Sequence, residues 1–341
     1  GQAAAQRHIF FAEREALKIP GVGKDVKPRD IRSAAVIGAG TMGGGIAMAL
    51  ANGGIPVAVI ETGEDALERG IAAVRRNYET SVKRGSLTPD AMEKRLALLN
   101  GATSLDAAKD ADLVIEAVFE DMAVKEQVFG ALDKIAKPGA VLVECSTLSL
   151  AWVRELAAVA AERGLKFLDA PVTGSKDAAE AGQLKLMVGG DAGAIEQARP
   201  ALAAVSQQII HFGPSGAGAT MKLINNLMGA VQTAALAEGM ALAERAGLDS
   251  AQVVALITNG APGSPIVKSK IGMMVAHSYA DTNFALRWMH KDATYALRAA
   301  DELGVPMPTV AAARELYRLA RNLGHNDDDF AAVIEALRQR A

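Results

Sequence analysis

The stretch from Ala34 to Glu61 constrains the fold of this chain more than any other. Ala34-Ala35-Val36-Ile37 has the short apolar character of a buried strand, and it delivers Gly38-Ala39-Gly40-Thr41-Met42-Gly43. A helical pattern follows from Ile46 to Asn52, then a second strand, Pro56 to Ile60, that ends on Glu61. Glycines at this spacing mean little alone. Between a strand and a helix, with an acid about twenty residues on, they make the full fingerprint of a dinucleotide site. The first glycine makes the turn, the second admits a pyrophosphate to the backbone, and the third lets helix pack on strand, while the helix N-terminus favours the anion. Glu61 can accept hydrogen bonds from the adenosine ribose hydroxyls and would repel a 2′-phosphate, and Thr62-Gly63 bring no arginine to receive one. NAD is therefore expected rather than NADP, bound by an α/β Rossmann-type, doubly wound parallel sheet.

Further strand signals complete such a sheet: Asp112 to Val118, then Ala140 to Glu144 closed by Cys145-Ser146-Thr147, then Lys166 to Val172, Leu184 to Val188 and Gln208 to Phe212. Residues 64–99 read as two charged amphipathic helices with a cap at Ser86 or Thr88, an insertion on the usual plan that also fits a plain solvated hairpin. Residues 1–30 read as a helical arm and linker, 31–217 as the NAD-binding domain, and 218–341 as an all-helical substrate and dimerisation domain. A long, buried, almost wholly apolar helix from Gly216 to about Gly247 links the last two, and Ser250 and Asp329 are expected to cap later helices.

Composition excludes several partners. A net charge of -3 at pI about 6.0 offers no basic field for nucleic acid or an anionic membrane. Cys145 is the single cysteine, which excludes an internal disulfide and a cysteine-based zinc site, and no metal is expected. It fits a reducing, cytoplasmic setting. Glu238 and the Asn225-Asn226 pair break the longest apolar run below the length of a membrane span, and the first residues lack the apolar core of a signal peptide.

Lys222, Asn225, Asn226 and Gly229 share one face at the start of the long helix. A cation and two amides there need partners, so the stretch reads equally as a capped helix terminus or as a site. Beside a bound nicotinamide, a hydride moves to or from a carbon bearing oxygen, and that oxygen needs a proton donor or acceptor. Lys222 can serve, with a pKa expected to fall through burial and like charge. Asn226 can hold the lysine or a substrate oxygen. Thr173, Gly174 and Ser175 follow a strand and offer hydroxyls and backbone N–H groups suited to a carboxylate.

As far as about residue 142, the chain resembles the NAD-binding domain of the L-3-hydroxyacyl-CoA dehydrogenases of multifunctional fatty-acid oxidation proteins. Ala35 to Gly43, Val114-Ile115-Glu116-Ala117-Val118-Phe119-Glu120 and the helical hairpin carry the likeness, and Phe10 to Arg14 is similar to the linker before that domain. It implies that Ala117, Val118, Glu120 and Lys125 lie along NAD, although Glu120 and Lys125 also read as a helix-surface pair. That family's catalytic His-Phe-Phe segment has no counterpart. His211-Phe212-Gly213-Pro214 is the near match, and His211 is expected to be an ordinary strand-end residue.

From about Leu142 the chain resembles the β-hydroxyacid dehydrogenases, which include 3-hydroxyisobutyrate dehydrogenase and the glyoxylate/succinic semialdehyde reductases. The marks are Phe167 to Lys176, Glu180 to Leu184, Met187 to Gly190, Gly216 to Asn226, Lys291-Asp292 and Gly324 to Glu335. Its helical half is 6-phosphogluconate dehydrogenase-like. The two resemblances meet near 142–147, on a strand that both families end in Ser or Thr beside the nicotinamide, so a join there, natural or engineered, preserves one sheet. The second likeness implies that Lys222 is the catalytic lysine, that Thr147 touches nicotinamide and substrate, that Phe284 and Asp292 close the pocket, and that Lys291 reaches the cofactor. Each of the last three also fits ordinary helix packing or a surface ion pair. Many members have serine where this chain has Thr173.

The expected function is NAD-dependent hydride transfer on a small hydroxyacid or aldehyde acid, of the succinic semialdehyde, glyoxylate or 3-hydroxyisobutyrate type, by a homodimer. The alternatives are 3-hydroxyacyl-CoA oxidation, and a non-catalytic NAD-binding or engineered scaffold.

Overall fold

The protein is described from a computed structural model, over residues 31–117, 128, 130–132, 134–136, 139–174, 178–179 and 181–338. The expected arm at 1–30, together with Val118, Glu120, Lys125 and Ser175, lies outside the described residues.

Nine described strands form one sheet in the order β3-β2-β1-β4-β5-β6-β8-β7, with β9 on β8. In chain order the first half holds β1 (Ala34–Ile37), α1 (Thr41–Asn52), β2 (Val57–Ile60), α2 (Glu64–Lys83), α3 (Pro89–Leu96), β3 (Leu99–Ala102), β4 (Leu113–Glu116), β5 (Val141–Glu144) and α4 (Leu150–Glu162). Then come β6 (Lys166–Asp169), β7 (Val172–Thr173), β8 (Leu184–Gly190), α5 (Ala192–Val205) and β9 (Ser206–Gly213). Strands β1 to β6 are parallel, whereas β8 runs antiparallel to β6 and β7. All four residues of β1, β4 and β5 are buried, the closing Glu116 and Glu144 included, as strands must be when helices cover both faces. Ile46, Leu50, Ala198 and Leu202 of α1 and α5 pack one face; Val153, Leu156 and Ala160 of α4 pack the other.

The register aligns the strand ends that matter. Ile37 lies beside Ile60 and Glu116, Glu116 beside Glu144, and Glu144 beside Asp169. The order reverses between β1 and β4, and the crevice outside the carboxyl ends at such a point is where open α/β sheets bind ligands.

The insertion forms the two expected helices, with Thr88 rather than Ser86 capping α3 through a 3.2 Å bond from the Ala91 N–H. It is docked and not merely solvated. Tyr78 is buried against α1, its hydroxyl within hydrogen-bond reach of Met48 O at 3.2 Å and Asn52 Oδ1 at 3.0 Å, and burial pushes its pKa up to about 12. Leu99 begins a short edge strand, β3, that pairs β2 and has little periodicity of its own.

The long helix α6 (Ala217–Arg245) follows, then α7 (Ser250–Asn259), α8 (Pro265–Ala276), α9 (Leu286–Leu303), α10 (Pro308–Asn322) and α11 (Glu335–Arg338). Asp249, not Ser250, caps α7, because its carboxylate reaches the Gln252 N–H at 2.8 Å and leaves Ser250 inside the first turn. Asp329 accepts from the Ala331 N–H and caps the 3₁₀ turn Phe330–Ile334. It also meets Lys270 at 2.7 Å, both side chains buried. The helix α6 is buried on one side only: Leu223, Ala230, Ala234 and Met240 face the core, while Ile224, Met228 and Leu242 are 43%, 53% and 72% exposed. Its first turn rests on β6 and β8 and its remainder on α8, α9 and α10. No described helix is long and apolar enough to cross a membrane.

Candidate functional site

The glycine turn has the form that its fingerprint requires. Gly38 has φ 99° and donates to Ile60 O, a conformation an L-residue would resist. A Cβ at Gly43 would sit 1.9 Å from Gly38 O, so α1 approaches the strand end as closely as only glycine allows. At Gly40 a Cβ would meet nothing within 4 Å, which leaves that backbone open to a ligand. Gly40 is the N-cap of α1, with no side-chain cap and no acid in the first turn, so the helix end is available to an anion. Glu61 stands beside it, accepting from the Ala39 N–H at 2.7 Å and the Thr62 N–H at 3.1 Å. Ala117 directly follows β4, its N–H donating to Ile37 O. These residues fit NAD. Gly70 completes the turn unannounced by any motif, because a Cβ there would lie 2.4 Å from Ala39 Cβ.

Across the strand ends lies a second constellation. Lys222, half-buried on α6, donates to Val172 O at 2.7 Å, one residue before Thr173. Thr173 is half-buried on β7, and Gly174 follows with φ 138°, a region open essentially to glycine alone. One helical turn beyond Lys222, buried Asn226 donates to Asp292 Oδ2 at 2.5 Å and accepts from Asn225 Nδ2 at 3.0 Å. The other Asp292 oxygen lies 3.1 Å from Lys291 Nζ, an ion pair without hydrogen-bond geometry at that atom. Lys291 donates to Thr147 O at 2.9 Å, its ammonium near the Tyr295 and Trp288 rings. The fold therefore ties Asn226, Asp292, Lys291 and Thr147 into one path from the long helix to the strand end of β5.

Of the expected residues, Asp292 is 1% exposed behind Asn226, which places it as a support for the amide. Phe284 stands edge-on to Phe330, ring centroids 6.1 Å apart, at the margin of the helical core. Trp288 belongs to the Lys291 surroundings, while Met289 is core. His211 sits on the carbonyls of Gly190 and Gly213 at 3.0 and 2.8 Å, an ordinary strand-end place.

Asp169 escaped the motif reading as a site residue. It ends β6 at 1% exposure, and its two oxygens accept from the Gly216 and Ala219 N–H groups, each at 2.8 Å. Burial pushes its carboxyl above the usual carboxylate range, and the backbone N–H groups it binds, Gly216 and Ala219 foremost, pull the other way. It supplies the cap that α6 lacks, for Gly216 has no side chain and the first turn holds no acid.

Comparison with known proteins gives two families in succession. The family described as 3-hydroxyacyl-CoA dehydrogenase, NAD binding domain, matches residues 33–167, and NAD-binding of NADP-dependent 3-hydroxyisobutyrate dehydrogenase matches 216–337. The chain is similar to the NAD-dependent L-serine dehydrogenase of Pseudomonas aeruginosa, 36% identical over 67% of this chain and 79% of that one. It is also 45% identical over 150 residues to a rice peroxisomal fatty acid beta-oxidation multifunctional protein, covering 43% of this chain but 21% of that one. Among solved structures, 3-hydroxyisobutyrate dehydrogenase of Mycobacterium tuberculosis with L-serine superposes with TM-score 0.74 at 28% identity, over 91% of this chain and 100% of that one.

Proposed function

The chain belongs to the family of NAD-dependent β-hydroxyacid dehydrogenases, and from that premise we propose that it oxidises a small free hydroxyacid, or reduces the matching aldehyde or keto acid, with Lys222 as general base and acid. The observation that carries this is the position of Lys222. Its ammonium rests on Val172 O, one residue before the Thr173-Gly174 turn.

Held by the Gly38 to Glu61 cradle, NAD would supply the acceptor for a hydride from the carbon that bears the hydroxyl. Lys222 as the neutral amine removes the hydroxyl proton in the same direction of reaction, and as the ammonium returns it in the other. Asn226, held by Asp292, offers its amide one turn away on the same face of the helix. Thr173 with the N–H groups of its turn receives the substrate carboxylate. Lys291, bound to Thr147 O, ties the helical half to the nicotinamide end of the sheet.

The substrate is a short free acid, by analogy with the L-serine and 3-hydroxyisobutyrate named for the relatives. A CoA thioester lacks the free carboxylate that the Thr173-Gly174 turn is suited to hold. Moreover, His211, which lies in the only near match to the acyl-CoA family's catalytic segment, is engaged by two carbonyls. Initial rates of NAD reduction with 3-hydroxyisobutyrate, 4-hydroxybutyrate, glycolate, L-serine and 3-hydroxybutyryl-CoA test this. A free acid is expected to give the highest kcat/KM and the thioester no turnover; preferred turnover of the thioester overturns the proposal.

A further inference from the structure

The N-terminus of α6 is locked to the sheet from three sides. Asp169 of β6 binds its first N–H groups, and bare glycines bring it against β8. A Cβ at Gly218 would lie 2.2 Å from Met187 O, 2.7 Å from Asp169 O and 2.8 Å from Gly189 N. A Cβ at Gly189 would fall 2.6 Å from an Asp169 oxygen. The segment that caps the helix also receives its lysine, since Asp169 binds Ala219 while Val172, three residues on, accepts from Lys222. Lys222 and Asp169 thus close a small loop between helix and strand end, whose far side is set by the pairing of Asp169 with Glu144 on the strand leading to Thr147.

We propose that Asp169 is a positioning residue for hydride transfer, its carboxylate fixing the register of Lys222 against the strand ends that present the nicotinamide and the substrate carboxylate. The inference rests on Lys222 being the acid and base. A carboxylate is needed because two N–H groups bind separate oxygens. Asparagine has one acceptor, and its NH₂ would face the second N–H, losing one bond and opposing two donors. The start of α6 would then shift, and an offset of about 1 Å in a reacting group costs on the order of 10²-fold in rate. The Gly38 to Glu61 cradle lies on other strands and would be undisturbed.

Three variants test it: Asp169→Asn, Asp169→Asn with Ala217→Asp, and Lys222→Met. The added aspartate restores negative charge to the first turn of α6 but not the tie to β6. Asp169→Asn is expected to lower kcat by on the order of 10²-fold, to leave NADH affinity by fluorescence titration unchanged, and to move the pH limb of kcat/KM that belongs to the lysine. The double variant should regain thermal stability and keep the low kcat, and it supplies a folded protein if the single variant does not fold. Wild-type kcat in Asp169→Asn, or recovery of kcat together with stability in the double variant, overturns the inference. Full activity in Lys222→Met would instead remove the reading of Lys222 on which it rests.

Discussion

Lys222→Met is expected to lower kcat/KM for the best hydroxyacid by about 10²- to 10⁴-fold, the range over which positioned acid–base groups act, while NADH binding stays as in the wild type. Methionine keeps much of the stem and its packing but can neither take nor give a proton. The loss should fall on kcat, because the group acts when the proton moves. The pH profile makes a sharper distinction. Oxidation needs the neutral amine, so its rate falls as the lysine protonates at lower pH; reduction needs the ammonium and fails as pH rises. Both limbs should vanish in the variant. The stem also bridges α6 to Val172 O, so a small fall in stability accompanies the change. A variant with near-normal kcat and an unchanged limb would show that another group handles the proton.

Gly218→Ala is expected to be damaging well beyond the size of one methyl group. The new Cβ would lie 2.2, 2.7 and 2.8 Å from three backbone atoms of β6 and β8, and none of these can rotate away as a side chain could. The helix must lift off the sheet. Overpacking of this kind costs about 1–3 kcal/mol, and because Lys222 is one turn along, kcat should drop on the order of 10²-fold. Denaturant midpoints and kcat would be measured together. Gly239 on the same helix, where a Cβ would meet nothing within 4 Å, is the control, and its alanine variant should be neutral or slightly stabilising. Wild-type kcat in Gly218→Ala would mean that the close approach does not hold the lysine in place.

How much of this was legible in the sequence depends on distance along the chain. The cofactor turn is local: Gly38, Gly40 and Gly43 act within one strand–turn–helix unit, so their spacing within that unit predicts what the backbone then does. The shared face of Lys222 and Asn226 follows from one helical turn. What supports that face does not. Asp169 caps a helix 47 to 50 residues away, and Asp292 meets Asn226 across 66 residues. A glycine at the N-cap conceals the partner, because the usual signal is a polar side chain in the cap itself. The exposed row on α6 was hidden for the opposite reason, as a helix apolar all round reads as buried although one side here faces outward. At Asp249-Ser250 two capping residues stand together, and the sequence pattern does not say which carboxylate or hydroxyl reaches the free N–H.

The succession of two families along the chain raises one physical question, whether NAD on the Gly38 to Glu61 cradle meets a lysine from the other half at reacting distance. The Lys291–Thr147 bond runs from one matched stretch to the other, and the Lys222–Val172 bond ties the second stretch to the strand just beyond the first. A crystal structure with NAD and the preferred hydroxyacid tests it most directly. Lys222 Nζ is predicted to lie about 2.6–3.2 Å from the substrate hydroxyl oxygen, with the carbon bearing it about 3–3.5 Å from the nicotinamide ring. A complex in which Lys222 stays on Val172 O, beyond hydrogen-bond reach of that oxygen, would contradict the account.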